Sequence, residues 1–430
     1  MLSGRPFFWG SLVVALFVLS PVYLASGQSG GADTTAVRVR LHAQRTVETA
    51  VLTAETNDVV VEVPGGGAPA FTLRPGDSLT LGLRQDDVFV QQGAQGVYAT
   101  SLRLAPRDES ASWSLASDGH PTQTYTGALR LSPDSTDGLL LVNRVPLEDY
   151  VASVVASEYG LDDTAGAKAM AVVARTYGLF ATQKFGPSVD HADGTLSQVY
   201  EGADAITSRS RRVTESTRGQ VLTHGGRPIQ AVYFSSSGGH TADNEDVWQA
   251  ESPQPYLRGR PDPYDQDSPH HRWRATVSRP ALLRALTRLR GTSVEGFTLG
   301  QRMPHGRLKT MNVLHSDDTR HTMNANAFRL AVNRRLQDEP LKSTWFDARR
   351  EGDTYVFEGR GFGHGVGLSQ WGAHAMATQG KSYEEILTFY YEDVTIRRHE
   401  GTQLAPPAEP VAESPPVSSP SDSTSGRIGW

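Results

Sequence analysis

The stretch that most restricts this chain runs from Val145 to Thr176, VPLEDYVASVVASEYGLDDTAGAKAMAVVART. Val151, Val154, Val155 and Glu158 follow the i, i+3, i+4, i+7 spacing of one helix face, so a carboxylate continues an apolar stripe. Gly160 reads as the helix stop and leaves Glu158 in the last turn. There the negative end of the helix dipole and the adjoining apolar surface both disfavour the ionised form, as a general acid requires. On spacing alone two readings stand: such an acid, or a half-exposed glutamate that ends a helix. A second helix begins near Thr164, with Ala167, Met170, Ala171 and Ala174 on one face, small enough to let a neighbouring helix approach closely. Lys168 and Arg175, seven apart, share a face and suit an acidic or polyhydroxylated substrate if they point toward Glu158. As ordinary solvated cations they would have no such role.

The flanks read differently. Arg5 followed by an apolar run from Phe7 to Leu19 and small residues near Ala25 has the pattern of an export signal over residues 1–27; an uncleaved anchor is the competing reading. The protein is therefore expected in the periplasm or outside the cell, associated with the wall. Alternating segments such as VRVRLHA, VVVEVP and FTLRPGDSLTLGL make residues 36–124 a β-rich region. Residues 398–430 are too rich in proline and serine to fold and are expected to form a tail. Lys+Arg 41 against Asp+Glu 47, without a long basic run, argues against nucleic acid as a partner. The absence of cysteine excludes disulfides and thiolate chemistry.

Three further segments carry polar groups in unusual density. VDHADGTLSQVYEGADA offers His191 and Asp193, two candidate ligands without a third, so no metal is expected. A hairpin with a Gly-Gly turn, GQVLTHGGRPIQAVYF, delivers the chain to SSSGGHTADNEDVW, where hydroxyls, glycine, His240 and Trp248 have the composition of a sugar-binding loop. Ser235, Ser236 and Ser237 do not form a GxSxG elbow, which weighs against a serine nucleophile. GRGFGHGVGLSQWGAHAMA completes neither a GxGxxG register nor a phosphate loop, so no nucleotide is expected. Ser369 is a cap for a helix starting at Gln370, and Ser382 with Glu385 forms a capping box for the next. Helices are also predicted from Pro280 to about Arg290, and from about Ala325 to Arg335 behind Asn324. The expected class is α+β: mixed helices and antiparallel strands around a long substrate groove in residues 125–397, with the β-rich region before it.

In the order VPLEDYVASVVASEYG with AKAMAVVARTY, AVYFSSSGGHTADNEDVW and GRGFGHGVGLSQWGAHAMA, these blocks resemble the stage II sporulation protein D family, which includes amidase-enhancer proteins. The likeness runs from about Tyr125 to Val394. It implies a peptidoglycan lytic transglycosylase that cleaves between N-acetylmuramic acid and N-acetylglucosamine on peptide-stripped strands, with Glu158 at the catalytic position. Family members with bound zinc use a cysteine-and-histidine stretch before the QVY kept here at Gln198–Tyr200. This chain has HADGTLS there, so neither metal nor other cofactor is expected. The usual Glu-Met-Pro is Glu158-Tyr159-Gly160 here, which alters the turn after the carboxylate.

A transglycosylase needs one carboxylate, whereas hydrolytic glycosidases generally use two, and the sequence nominates only Glu158. Lys168 and Arg175 are the candidates to hold a muramic carboxylate. Tyr233, Ser235, Ser236, Ser237, His240, His364 and Gln370 are the candidates to line the glycan groove, His364 alternatively being a loop histidine bonded to backbone. The rival reading is a non-catalytic wall-binding protein that recruits or stimulates a cell-wall amidase.

Overall fold

The computed structural model describes residues 35–399 apart from 67, 109–110, 136–137, 181–182, 249–251, 291–292 and 337–340. The expected export signal lies outside the described residues, as does the tail beyond residue 399. Arg398, assigned to that tail, instead ends the strand Thr395–Arg398 and pairs with Gln220.

Alternation produces two antiparallel β layers before the first helix. One sheet runs Ala36–Arg40, Leu139–Pro146, Ala128–Pro133, Leu102–Pro106, Val59–Glu62 and Phe71–Leu73, with the short strand His191–Ala192 added parallel at its first edge. The other runs His120–Thr126, Ser112–Ser117, Thr49–Ala54, Ser78–Arg84, Asp87–Gln92 and Gln95–Ala99. Inward residues such as Val39, Leu52, Leu79, Leu81, Val90, Leu115 and Leu131 are fully buried, as the period of two requires. Strands from both sides of residue 125 share the first sheet, so the β-rich region and the start of the helical part are joined through it. Trp113 closes it, its indole N–H donating to the Gly127 carbonyl at 2.7 Å.

Helix α1 (Leu147–Glu158) leaves the last long strand directly, with Pro146 as N-cap and Glu148 and Asp149 in its first turn, where the dipole favours acids. Val151, Val154 and Val155 are buried as their spacing predicts. Gly160 does not stop the helix in the expected way, because it has no left-handed φ. The chain turns instead at Tyr159 (φ −122°, ψ 78°), whose buried ring donates its hydroxyl to Asp163 at 2.7 Å. Asp163 also accepts from the Gly166 N–H in the first turn of helix α2 (Thr164–Phe180). A Cβ at Gly166 would lie 2.0 Å from the Tyr159 hydroxyl, so glycine is required there.

Ala167, Met170, Ala171 and Ala174 are fully buried on α2. This helix packs against α1, α3 (Ser208–Ser216), α7 (Gln370–Thr378) and α8 (Tyr383–Tyr390). The Ser369 cap and the Ser382–Glu385 capping box form as the sequence predicts. Between the short helix α4 (Asn244–Val247) and α7 lies a unit with its own apolar core, built from Leu286, Met311, Val313, Phe328 and Phe357 among others. It contains two three-stranded sheets with α5 (Arg279–Arg290) and α6 (Ala325–Asn333). Asn324 caps α6 as predicted, accepting from the N–H groups of Asn326 and Ala327. The protein is α+β.

Arg175 is fully buried and forms a bidentate pair with Glu148, Nε to Oε1 at 3.0 Å and Nη2 to Oε2 at 2.6 Å. It also donates to the carbonyls of Ala171, Thr214 and Gln220. One guanidinium thereby ties α1, α2, α3 and the strand Gln220–His224 together. Arg175→Met strands the Glu148 carboxylate, and the expected loss is about 3 kcal/mol of unfolding free energy, seen as a lower denaturant midpoint. An unchanged midpoint would refute the pair's role as the tie between these elements.

Candidate functional site

The end of α1 places the Glu158 carboxyl beside the segment Gln198–Glu201. Gln198 is buried and donates to the Tyr150 hydroxyl at 2.9 Å, and the Tyr200 hydroxyl donates to Asn143 at 2.8 Å. These inward anchors on either side leave the Val199 N–H to donate to Glu158 Oε1 at 2.8 Å. From the opposite side, Gln370 at the start of α7 donates from Nε2 to the Glu158 carbonyl at 2.8 Å. The main chain and one carboxylate oxygen of Glu158 are thus fixed from two separate parts of the fold.

Tyr233 completes the surroundings. Its strand, Tyr233–Phe234, pairs in parallel with Leu368–Ser369. The ring nitrogens of His364 secure it further: Nδ1 accepts from the Val366 N–H at 3.1 Å, so Nε2 carries the proton and donates to the Tyr233 carbonyl at 2.9 Å. Desolvation, with Arg329 and Arg307 nearby, pushes the His364 pKa down to about 3, so this imidazole is neutral near pH 7. The Tyr233 hydroxyl is buried beside the Glu158 carboxyl, outside good hydrogen-bond geometry, and finds no other partner.

Desolvation dominates at Glu158 and raises its pKa. The Val199 N–H and the nearby Tyr233 hydroxyl oppose the rise, and the negative charge of Glu201 adds to it. Glu201 is a carboxylate that sequence reasoning missed. It is exposed, its N–H donates to Ser153 Oγ at 3.3 Å and its Oε2 accepts from Ser157 Oγ at 3.4 Å, which brings it to the outer side of the same helix end. Its place directly after QVY was the available signal.

Other sequence-nominated residues separate into two groups. Gln370 and Tyr233 meet at Glu158, and His364 acts through the Tyr233 backbone. Arg175 is a correction: fully buried and bound to Glu148 and three carbonyls, it has no donor facing a ligand. Lys168 lies over the Tyr383 ring of α8 at 5.8 Å. Ser235, Ser236 and Ser237 are buried and do not line an open groove. Ser236 Oγ donates to Asp265 at 2.9 Å, and the N–H groups of Ser237 and Gly238 bind the same carboxylate. This arrangement gives the Ser236 hydroxyl and the Ser237 N–H a role in holding the loop. His240 is half-buried and stacks on His305.

Among the described residues, no three histidine or acidic side chains come together in a way that holds a metal. His191 is buried between Tyr150 and Tyr177 with Nε2 on the Gly178 carbonyl, and Asp193 accepts from the N–H groups of His42 and Ala43. These residues do not fit the zinc site that the resemblance associates with some relatives.

A family model described as stage II sporulation protein matches residues 135–224, which include Glu158 and Val199. The stage II sporulation protein D of Bacillus subtilis (strain 168) is 31% identical over 274 residues, covering 59% of this chain and 75% of that protein. The chain belongs to this family. The corresponding Bacillus amyloliquefaciens protein is 32% identical with the same coverage. An amidase enhancer of Bacillus subtilis (strain 168) is 29% identical over 79% of this chain, which spans 53% of that relative. A second model, described as a domain of unknown function, matches residues 260–367 and thus includes the unit with the separate core.

A group whose folded pKa is raised is protonated to higher pH than its unfolded counterpart. If Glu158 donates a proton, activity falls as pH rises through a value above the ordinary glutamate pKa of about 4.3. The pH profile of kcat/KM on isolated glycan checks this; a descending limb at the ordinary glutamate value would contradict a desolvated acid.

Proposed function

We propose that this member of the family is an exported peptidoglycan lytic transglycosylase acting on peptide-stripped glycan strands. The observation that carries the reading is the desolvated Glu158 carboxyl, held by the Val199 N–H and facing the Tyr233 hydroxyl. The protonated carboxyl donates to the glycosidic oxygen between N-acetylmuramic acid and N-acetylglucosamine as that bond breaks. The resulting carboxylate takes the proton from the muramic 6-hydroxyl, whose oxygen bonds to the anomeric carbon and leaves a 1,6-anhydro end. Glu158 returns to its protonated form and no water is consumed. Gln370 and the Val199 N–H keep the group in place through both transfers, and the buried Tyr233 hydroxyl lies beside the carboxylate when it forms.

Glu201 favours a second reading, a hydrolase in which this exposed carboxylate activates water opposite the acid. The two readings differ in product. On purified peptide-free glycan the transglycosylase gives anhydro-muramic ends, Glu158→Gln abolishes them, and Glu201→Gln leaves their nature unchanged. Reducing muramic ends that vanish in both variants would establish the hydrolase instead. The amidase-enhancer relative keeps a third role in view, recruitment or stimulation of a cell-wall amidase. New peptide release by an added amidase, with no glycan cleavage and no dependence on Glu158, would establish that role.

A further inference from the structure

The unit between α4 and α7 folds around its own core, yet its loops are bound to the segment Ser235–Trp248. Arg307 Nη2 donates to the Ser237 carbonyl at 2.7 Å, Lys309 pairs with Asp246 at 2.6 Å, and Asn324 Nδ2 donates to the Val247 carbonyl at 3.0 Å. These bonds hold two rings of the unit against rings of the site. His305 stacks on His240 with centroids 4.6 Å apart and planes 14° from parallel, and Trp345 meets His305 edge-on at 5.9 Å. Nearer to Glu158, Trp248 packs against His364 at 5.1 Å, and His364 in turn holds the Tyr233 carbonyl.

His240, His305, Trp345 and Trp248 are half-buried and retain exposed surface, whereas both ring nitrogens of His364 are bonded to backbone. Their support is rigid. Arg307 is fully buried with its guanidinium 5.7 Å from the Trp345 centroid, while the backbone at Gly365 is so close to it that a Cβ would come within 2.7 Å of Cζ. Of the nearby cations, Lys309 pairs with Asp246 and Arg302 with Asp347, while the Arg360 guanidinium lies over the Trp345 ring at 5.6 Å. Burial lowers the His305 pKa to about 4, which leaves its ring uncharged near neutrality. Half-exposed rings on, and bound to, the segment that follows Tyr233 match pyranose rings, whose apolar faces stack on aromatic surfaces.

We infer that His240, His305, Trp345 and Trp248 form an aromatic shelf that binds sugars of a glycan strand beyond the scissile bond, and that the unit supplying His305 and Trp345 extends binding to strands longer than a disaccharide. This rests on the glycan-cleaving reading for its biological meaning, but it is measured separately, as binding. In the full chain carrying Glu158→Gln, so that strands stay intact, calorimetry compares purified peptide-free strands with the N-acetylglucosaminyl-N-acetylmuramic acid disaccharide. Trp345→Ala and His305→Ala are each expected to weaken strand binding, Trp345→Ala by about tenfold. Disaccharide affinity should be unchanged in both, and Trp345→Tyr, which retains a ring, should keep most strand affinity. Equal strand affinity in the parent, Trp345→Ala and His305→Ala overturns the inference, as does an equal loss for disaccharide and strand. The two proposals separate cleanly. Trp345-dependent strand binding without any anhydro ends from the wild type keeps the shelf and removes the transglycosylase. Anhydro ends from the wild type with Trp345-independent binding do the reverse.

Discussion

The close approach of α1 and α2 is the constraint on which the site depends. It is made possible by a stripe of small residues on α2 and pinned by one buried guanidinium. Without Ala167, Ala171 and Ala174 at full burial, the helices would separate and the apolar surface around the end of α1 would open to water. Arg175 could not then reach Glu148 and the carbonyls of Thr214 and Gln220 together. A buried ion pair adds little net stability over a well-packed apolar replacement, yet removing one partner is strongly destabilising. The pair therefore acts mainly as a geometric lock, fixing which turn of α1 ends beside Val199.

The parts of this arrangement that were legible in sequence follow from local periodicity. The helix pair, the caps at Ser369, Ser382 and Asn324, and the position of Glu158 on an apolar stripe all depend on residues within a turn or two of one another. The parts that were not legible depend on distant partners. The Val199 N–H is a backbone donor, invisible to residue type, and it reaches Glu158 only because Gln198 and Tyr200 are anchored to Tyr150 and Asn143. The serines at 235–237 have the composition of a ligand loop, but Asp265, nearly thirty residues later, accepts from that segment instead. Arg175 is the instructive case. It continues the Ala167, Ala171 spacing by one further step of four, the same pattern that places Glu158 on its stripe, so the helix periodicity already assigned it to the interior. Its charge suggested solvent or substrate, and the partner that makes burial tolerable lies on the preceding helix.

The turn after Glu158 shows how a local departure is accommodated. With Tyr159 where the resemblance leads one to expect methionine, a buried hydroxyl has to be satisfied, and Asp163 accepts from it while capping α2. Asp163 also meets Nδ1 of His374 on α7 at 2.7 Å. One carboxylate thus joins the turn, the start of α2 and a third helix. Tyr159, Asp163, Gly166 and His374 form one connected polar network, the kind that specifies a structure when its members are satisfied.

Raising the Glu158 pKa has an energetic consequence for the fold as well as a chemical one. Because the folded state holds this proton more tightly than the unfolded chain, the group's contribution to stability is fully present below the unfolded pKa and declines as pH rises through the folded one. The Val199 N–H limits this loss by stabilising the ionised form, and a neutral Tyr233 hydroxyl nearby does the same without introducing a charge. A cation in their place would stabilise the carboxylate further but would lower its pKa and remove the acid. The combination of desolvation with neutral donors therefore suits a group that must both give and take a proton. The actual place of Arg175, its guanidinium bound on the Glu148 side of the helix pair, is consistent with that requirement: the cation secures the scaffold while neutral donors surround the acid.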